Sequence, residues 1–185
     1  MTGNDELRPW PRTREERRAD YGIFEIVRFR ARSPRTGEDR PFTVIEAPDW
    51  VNVVALTPAG DMVCIRQFRH GTSAFTLEIP GGMVDPGEDP AQAAARELRE
   101  ETGFTGGPPE LLGVVEPNPA ILTNRCHTYL IRDARRTTGT EMDAGEDIEV
   151  VVLSRDAVRE GARDGTIKHA LVLCALAFLE DRAEP

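Results

Sequence analysis

The sequence lacks the features that mark several large classes of proteins. Its 185 residues contain no apolar run of the ~18 residues that a transmembrane helix needs. The first residues are polar and lack the apolar stretch of a secretory signal peptide. The three cysteines, Cys64, Cys126 and Cys174, are far apart and form no Cys-x-x-Cys pair, so neither a disulfide framework nor a zinc site is indicated. We therefore expect a cytoplasmic protein that does not enter membranes.

Positive charge is also scarce. The chain carries 23 Lys and Arg against 32 Asp and Glu, a formal net charge of −9. A non-specific nucleic-acid binder needs a basic surface to replace counterions, so nucleic acid is not an expected partner. Apolar residues make up 39% and charged residues 30% of the chain, which is ordinary for a soluble globular protein.

Alternating residues predict a β-hairpin ahead of the main domain. The first twenty residues are polar and arginine-rich, and we interpret them as a frayed tail or a short arm that packs on a partner. From Ile26 apolar and charged residues alternate, turn residues follow Ser33, and Pro41–Glu46 fits the returning strand. Residues 1–47 are thus predicted to form an N-terminal arm and hairpin that serves dimerisation, and residues 48–185 the main domain.

The rest of the chain mixes strand and helix patterns without strict alternation. We therefore predict an α/β fold with a mixed sheet and helices on its faces, rather than a doubly wound parallel sheet. The predicted strands are 49–56, 62–69, 76–79, 111–116, 126–131 and 148–153, and the predicted helices are 91–102, 155–161 and 168–179.

The helix predicted over 91–102 has clear signals at both ends. Asp89 can cap the N-terminus, and Pro90 suits the first helical position. Gly103 suits the position after the last turn, where the backbone often becomes left-handed. The residues between are nearly all strong helix formers, so the whole segment favours a helix.

Three glutamates gather on one face of this helix. At about 100° per residue, Glu97, Glu100 and Glu101 lie within roughly one quadrant. Like charges this close repel, so a cation would stabilise them, and carboxylate oxygens suit Mg²⁺, with Mn²⁺ as a substitute. The preceding glycines permit close approach of the backbone, so a carbonyl of Gly81 or Gly82 is a further candidate ligand. A solvated acidic helix is the alternative interpretation.

The segment from Gly82 to Phe104 carries a specific motif. It has Gly, five residues, Glu88, seven residues, and then Arg-Glu-Leu-Arg-Glu-Glu-Thr-Gly-Phe. This pattern matches the Nudix box at every defined position, and the chain resembles the Nudix hydrolase family from about Trp50 to Leu179. The resemblance implies an α/β/α sandwich around a mixed sheet. It also implies metal-assisted hydrolysis of a nucleoside diphosphate linked to another group.

The resemblance implies roles for the residues of the motif. Carried over position by position, the metal ligands are Gly81 through its carbonyl, Glu97, Glu100 and Glu101. Glu100 is either a ligand or a group that orients water. Arg96 and Glu88 are expected to hold the loop against the helix through a charge-assisted pair.

Features outside the box resemble ADP-ribose pyrophosphatases and nucleoside diphosphate sugar hydrolases. Pro119 lies sixteen residues after Gly103, an offset typical of that group. In the group, the arginine corresponding to Arg69 grips a phosphate, which suits the planar fork of a guanidinium. The residues predicted to bind substrate are Arg69, Trp50, Asn118, Pro119, Asn124 and Arg125. The loop residues Asn118, Asn124 and Arg125 could instead stabilise a turn. Trp50 could stack on the base of the substrate, and packing in the core is its alternative role.

An acidic loop before the last predicted strand supplies the expected general base. In the resembling group a glutamate of this loop closes over the metals and acts on the attacking water, and Glu146 aligns best. Relatives with two acidic residues here space them i,i+2, but this chain has Ala144 at the earlier position. Glu141 and Asp143 therefore remain alternative bases. The predicted catalytic residues are Glu146, Glu100 and Arg96, with Glu146 also a predicted metal ligand.

One functional expectation and two alternatives follow from the resemblance. We expect a homodimer that hydrolyses ADP-ribose or a nucleoside diphosphate sugar with Mg²⁺, giving a nucleoside monophosphate and a sugar phosphate. Its N-terminal hairpin would swap onto the partner subunit and help to close the substrate site there. The first alternative is another substrate, namely a dinucleoside polyphosphate, coenzyme A or an oxidised nucleotide. The second is a sensor that binds ADP-ribose without cleaving it, although such proteins usually lose the box carboxylates.

Overall fold

The chain divides into two compact units. The computed structural model describes residues 7–142 and 145–180. One unit contains the residues up to Ala47 together with Asn118–Asn124, and the other contains Pro48–Pro117 and the residues from Arg125 onwards. In the part of the chain that is described, no helix is both long and apolar enough to cross a membrane. The dimerisation role of the N-terminal element stays a prediction.

The first unit is built on a three-stranded antiparallel sheet. Its strands are β1 (Arg12–Asp20), β2 (Glu25–Arg32) and β3 (Asp39–Glu46), which lie side by side in sequence order. The hairpin of β2 and β3 agrees with the alternating pattern that predicts it. That alternation turns every second side chain of β2 into a small core, formed by Val27, Phe29 and Ala31.

Strand β1 shows that the frayed-tail interpretation of the first twenty residues is wrong from Arg12 onwards. Almost all of its side chains are exposed, so no apolar alternation marks it in the sequence. Backbone pairing with β2 holds it instead. Ion pairs add to this pairing, since the Arg18 guanidinium contacts both Glu25 and Glu46.

The second unit contains a seven-stranded mixed sheet and a separate pair of two-residue strands. The strands are β4 (Trp50–Leu56), β5 (Met62–Arg69), β6 (Ala74–Glu78), β7 (Gly81–Met83), β8 (Phe104–Thr105), β9 (Glu110–Val115), β10 (Cys126–Ile131), β11 (Arg135–Arg136) and β12 (Ile148–Leu153). The sheet runs β12–β5–β4–β10–β9, with β6 beside β5 and β7 beside β4, while β8 and β11 pair apart from it. Strands β4 and β10 are parallel and the other neighbours antiparallel, so the predicted mixed sheet is confirmed.

Helices cover both faces of this sheet. They are α1 (Pro90–Thr102), α2 (Arg155–Asp164) and α3 (Ala170–Glu180). On one face α1 packs against Val51 and Val53, and on the other α2 and α3 enclose Val54 and Leu56. Because both faces are covered, β4 is buried almost without interruption. The α/β/α arrangement expected from the sequence is thereby confirmed.

Helix α1 has the ends that its sequence predicts. The Asp89 carboxylate accepts a hydrogen bond from the N–H of Ala91 at 2.8 Å, and Pro90 is the first helical residue. Gly103 adopts a φ of 73°, a left-handed conformation that glycine takes without strain. These caps fix where the helix starts and ends, and therefore which side chains face the sheet.

Candidate active site

Glu97 and Glu101 lie one turn apart on the buried side of α1. Ala94 and Leu98 anchor the helix in the core, so both glutamates are drawn toward the sheet and are only 9% and 3% exposed. The N–H of Gly81, at the start of β7, donates to Glu101 Oε2 at 2.9 Å. The Glu97 carboxylate lies directly over Gly82, where any Cβ atom would overlap it.

Burial raises the pKa of both carboxyl groups. For Glu101 it outweighs the hydrogen bond from Gly81, repulsion from Glu97 adds to it, and the pKa rises to about 8. The pKa of Glu97 is also raised by burial, although the neighbouring Arg96 guanidinium opposes the rise. Two adjacent acids that resist ionisation form a site that a cation would stabilise.

Arg96 ties the loop before α1 to the acidic face of the helix. Its Nε and Nη2 each donate to the Glu88 carboxylate at 2.9 Å, and Nη2 also donates to the Met83 carbonyl at 3.0 Å. Its Nη1 donates to Glu97 at 2.8 Å and to Glu100 at 3.2 Å. These contacts raise the pKa of Arg96, and the hydrogen bonds to Glu88 contribute most. Its guanidinium therefore supports the site, and its predicted catalytic role stays a prediction.

Glu100 lies at the more open edge of the same helix face. Besides Arg96 it binds the Arg99 guanidinium, at 2.8 Å from its Oε1. Arg99 in turn donates to the Glu141 carboxylate at 2.8 Å, so Glu141, one alternative general base, is fastened to the helix. The other alternative, Asp143, and its neighbour Ala144 lie outside the described residues.

Arg69, the last residue of β5, is held in a fork-to-fork pair with Glu78 of β6. Its Nε donates to Glu78 Oε1 at 2.9 Å and its Nη2 to Oε2 at 2.7 Å. Burial pushes the pKa of Glu78 up, but the hydrogen bonds from Arg69 and Thr76 outweigh it and lower that pKa. The sequence analysis does not single out Glu78. The sequence feature that could have pointed to Glu78 is a single carboxylate between two apolar residues, Leu77 and Ile79.

Glu146 is close to these groups. It is exposed in the loop before β12, and its charge contributes to the raised pKa of Glu97 and of Glu101. It also contributes to the raised pKa of Arg69, although the hydrogen bonds that Arg69 donates to Glu78 are the larger cause. The structure thus brings Glu146 near the helix carboxylates and the arginine, while its role as base and ligand stays a prediction.

Two glycines at the start of β7 allow a matched prediction. A Cβ at Gly81 would overlap the backbone oxygen of Val51, whereas one at Gly82 would meet the movable carboxylate of Glu97. Gly81→Ala should therefore lower the free energy of unfolding by about 1–3 kcal/mol. Gly82→Ala should leave it nearly unchanged yet cut kcat/KM by about 10²-fold, because Glu97 is displaced. Chemical denaturation and initial rates measure both, and equal destabilisation by the two variants would contradict this geometry.

Comparison with known proteins assigns the chain to a family. A family model of the NUDIX domain matches residues 48–173. The chain belongs to the Nudix family. The methanol dehydrogenase activator of Bacillus methanolicus is 26% identical to it over 145 residues, which is 78% of either chain. The ADP-ribose pyrophosphatase of Bacillus subtilis is 26% identical over 138 residues, 74% of this chain and 75% of that protein.

A solved structure agrees with this Nudix assignment. The crystal structure of an ADP compounds hydrolase matches 96% of both chains with a TM-score of 0.84 at 21% sequence identity. At that identity the match shows the shared fold. The resemblance of the sequence to the Nudix family is thereby confirmed. The predicted enzyme class, a Nudix pyrophosphohydrolase, is confirmed with it.

The carboxylate oxygens of α1, the helix that carries the Nudix motif and is called the Nudix helix below, fit a divalent metal ion. Buried carboxylates of raised pKa would gain from such a cation, and the Arg96 Nη1 already stands between Glu97 and Glu100 as a positive charge. Within residues 7–142 and 145–180, no three His, Cys, Asp or Glu side chains form a ready-made metal cluster. Guanidinium and amide N–H groups bind these oxygens instead, so the assignment of Gly81, Glu97, Glu100 and Glu101 as ligands stays a prediction.

The residues predicted to bind substrate fall into both units. Trp50 is half-buried at the start of β4, and its backbone N–H donates to the backbone carbonyl of Arg125 at 2.8 Å. Arg125 itself is exposed. Asn118, Pro119 and Asn124 belong to the first unit. Asn124 is 2% exposed, and neither atom of its amide group has a hydrogen-bond partner among the described residues. The substrate contacts of these five residues stay predictions.

Proposed function

We propose that this Nudix enzyme hydrolyses the pyrophosphate bond of ADP-ribose or a nucleoside diphosphate sugar with the help of Mg²⁺. The observation that carries the proposal is the buried pair Glu97 and Glu101, with the positive charge of Arg69 close enough to act on Glu101. Negative groups for a cation and a positive group for a phosphate are what a diphosphate substrate requires. The names of relatives, an ADP-ribose pyrophosphatase and an ADP compounds hydrolase, support this substrate class.

The side chains would divide the work as follows. Glu97 and Glu101, with Glu100 and the Gly81 carbonyl, would hold the metal, with Arg96 keeping the carboxylates in place. Arg69 would bind a phosphate of the substrate about equally before and during the attack. Glu146 would accept the proton of the attacking water. When bound, Mg²⁺ supplies positive charge to the diphosphate and makes a water molecule more acidic.

A substrate panel tests the proposal. ADP-ribose, several nucleoside diphosphate sugars, a dinucleoside polyphosphate, coenzyme A and an oxidised nucleotide are incubated with the protein and Mg²⁺ or Mn²⁺, and the products are identified. We expect AMP and ribose 5-phosphate from ADP-ribose, or a nucleoside monophosphate and a sugar 1-phosphate from a sugar nucleotide. Preferred cleavage of one of the last three compounds would replace the proposed substrate. Tight binding of ADP-ribose without products would indicate a sensor.

We also propose that the protein is a cytoplasmic homodimer joined through the first unit. That unit exposes large apolar side chains, with Tyr21 and Ile23 both 61% exposed and Trp10 45% exposed. Exposed apolar surface of this kind favours a protein partner, and a second copy is the simplest one.

Removal of residues 1–47 is expected to abolish dimerisation and to lower kcat/KM by about tenfold or more, because interface contacts and part of the substrate site are lost. Light scattering coupled to size exclusion gives the mass, and initial rates give the activity. Because the deletion also removes the partners of 118–124 within the unit, the double variant Tyr21→Ser, Ile23→Ser serves as a milder test. A truncated protein that is dimeric and fully active would refute the swapped hairpin.

A further inference from the structure

Glu78 is a buried carboxylate to which the mechanism above assigns no task. It is 3% exposed at the end of β6, and both of its oxygens accept hydrogen bonds from Arg69. The hydroxyl of Thr76 donates to the same carboxylate at 2.5 Å. A buried carboxylate with several charge-assisted or short hydrogen bonds is fixed in place. Glu78 is therefore a rigid support beneath a partly exposed arginine.

Glu78 holds Arg69 along one edge only. The fork-to-fork pair uses Nε and one N–H of Nη2, out of the five N–H donors of a guanidinium. The Arg69 side chain is still 43% exposed, whereas that of Glu78 is 4% exposed. The guanidinium thus keeps donors for an anion from solution while its plane is fixed from behind.

A purely electrostatic role does not explain Glu78. A carboxylate beside a phosphate-binding arginine cancels part of the positive charge that attracts the phosphate. Its benefit must then come from orientation. Glu101 and Glu146 are near enough for their charges to act on Arg69, and an unsupported guanidinium would turn toward them. Arg69 would then be lost to the phosphate.

We propose that Glu78 is the positioning residue of Arg69: it holds the guanidinium away from the carboxylates of the site and directs its remaining donors at a phosphate of the substrate. This inference rests on the proposed function, because it takes a diphosphate to be what Arg69 binds. Thr76 belongs to the same support, since its hydroxyl fixes the Glu78 carboxylate.

Glu78→Gln is the primary test. Glutamine keeps the shape of the side chain, but its NH₂ group would face an N–H of Arg69, so the fork-to-fork pair is lost. We expect KM for the hydrolysed substrate to rise about tenfold while kcat changes by less than about threefold, because binding geometry is lost and the carboxylate cluster is kept. Glu149→Gln is the matched control, since Glu149 binds Arg66 of the same strand β5 at 2.9 Å. Its KM should not change.

A binding measurement separates this inference from the proposed function. Calorimetry with ADP and Mg²⁺ is carried out on the wild type, Arg69→Ala, Glu78→Gln and the double variant. If Glu78 acts through Arg69, each single variant weakens ADP binding about tenfold and the double variant is no weaker. Additive losses, or a Glu78→Gln protein with wild-type Kd and KM, would overturn the inference. If the two single variants and the double variant lose the same ADP affinity, but the protein cleaves no nucleoside diphosphate compound, the positioning role of Glu78 stands and the proposed function is rejected.

Thr76→Val covers the case in which Glu78→Gln does not fold. This change removes one hydrogen bond from Glu78 and keeps the carboxylate paired with Arg69. If Glu78 then holds Arg69 less firmly, we expect KM to rise by about two- to threefold at constant kcat. An unchanged KM for Thr76→Val, in a protein with the wild-type melting curve, would count against the positioning role.

Discussion

Glu101→Gln is expected to lower kcat by about 10³-fold or more while making the metal-free protein more stable in alkaline solution. The loss of activity follows because removing a proposed ligand of the metal takes away several kcal/mol of transition-state stabilisation. The gain in stability follows because a buried carboxylate that resists ionisation is replaced by a neutral group of the same shape. Glutamine can still accept the hydrogen bond from Gly81 through its amide oxygen.

The stability effect of this variant has a defined pH dependence. In the fold the Glu101 carboxyl keeps its proton up to about pH 8, whereas in the unfolded chain it loses the proton near 4.5. Between these values the folded state binds the extra proton, so the free energy of unfolding of the wild type falls as the pH rises. Near pH 9 the variant should be more stable by about 2–4 kcal/mol, and near pH 6 by a little under half as much.

Urea denaturation in the presence of a chelator at both pH values measures the difference. Glu160→Gln, at an exposed position of α2, is the control and should behave like the wild type. Added Mg²⁺ should stabilise the wild type but not Glu101→Gln, since a ligand stabilises only the fold that binds it. An active Glu101→Gln enzyme would remove Glu101 from the metal site. A variant that is less stable at both pH values would contradict the raised pKa of the Glu101 carboxyl.

Arg96→Ala should lower the free energy of unfolding by about 3 kcal/mol and kcat/KM by about 10–100-fold. The Arg96 guanidinium bonds Glu88, Glu97 and Glu100 at once, and its removal leaves partly buried carboxylates facing one another. The backbone contact to Met83 is lost as well, so the loop that carries Gly82 loses its support. Thermal and urea unfolding give the stability loss, and initial rates give the activity loss.

Arg99→Ala is the matched control for Arg96→Ala. Both arginines lie on α1 and both bind Glu100, but Arg99 is more exposed, and its other partner Glu141 is 58% exposed. Exposed ion pairs contribute little, so this variant should lose less than about 1 kcal/mol. If the two variants were equally stable and equally active, Arg96 would be an ordinary surface charge.

The Nudix helix is the part of the molecule that its sequence predicts best. Asp89, Pro90 and Gly103 mark its ends by local chemistry that needs no other part of the chain. The spacing of Glu97 and Glu101 then places both on one face, and the apolar residues Ala94 and Leu98 pack that side of the helix against the sheet. The order of strands along the mixed sheet could not be predicted from the sequence. A strand that is buried on both faces is a continuous apolar run, and such a run does not show which strands pair with it.

The remaining features depend on contacts between residues far apart in the sequence. Strand β1 buries almost nothing, so it leaves no periodic signal, although Arg18 finds its partners across the sheet. The pairing of Glu78 with Arg69 depends on the register of β5 and β6, which local pattern does not fix. The raised pKa of Glu101 arises from burial and from the charges of Glu97 and Glu146, which only the assembled fold brings together.

The most direct test is a crystal structure grown with Mn²⁺ and a non-hydrolysable methylene analogue of ADP-ribose. We predict anomalous peaks from Mn²⁺ bonded to the carboxylates of Glu97 and Glu101, and a phosphate of the analogue on the guanidinium of Arg69. If the carboxylates still bound Arg96 and the Gly81 N–H, with no metal beside them and the diphosphate elsewhere, the proposed metal-assisted cleavage at this site would be contradicted.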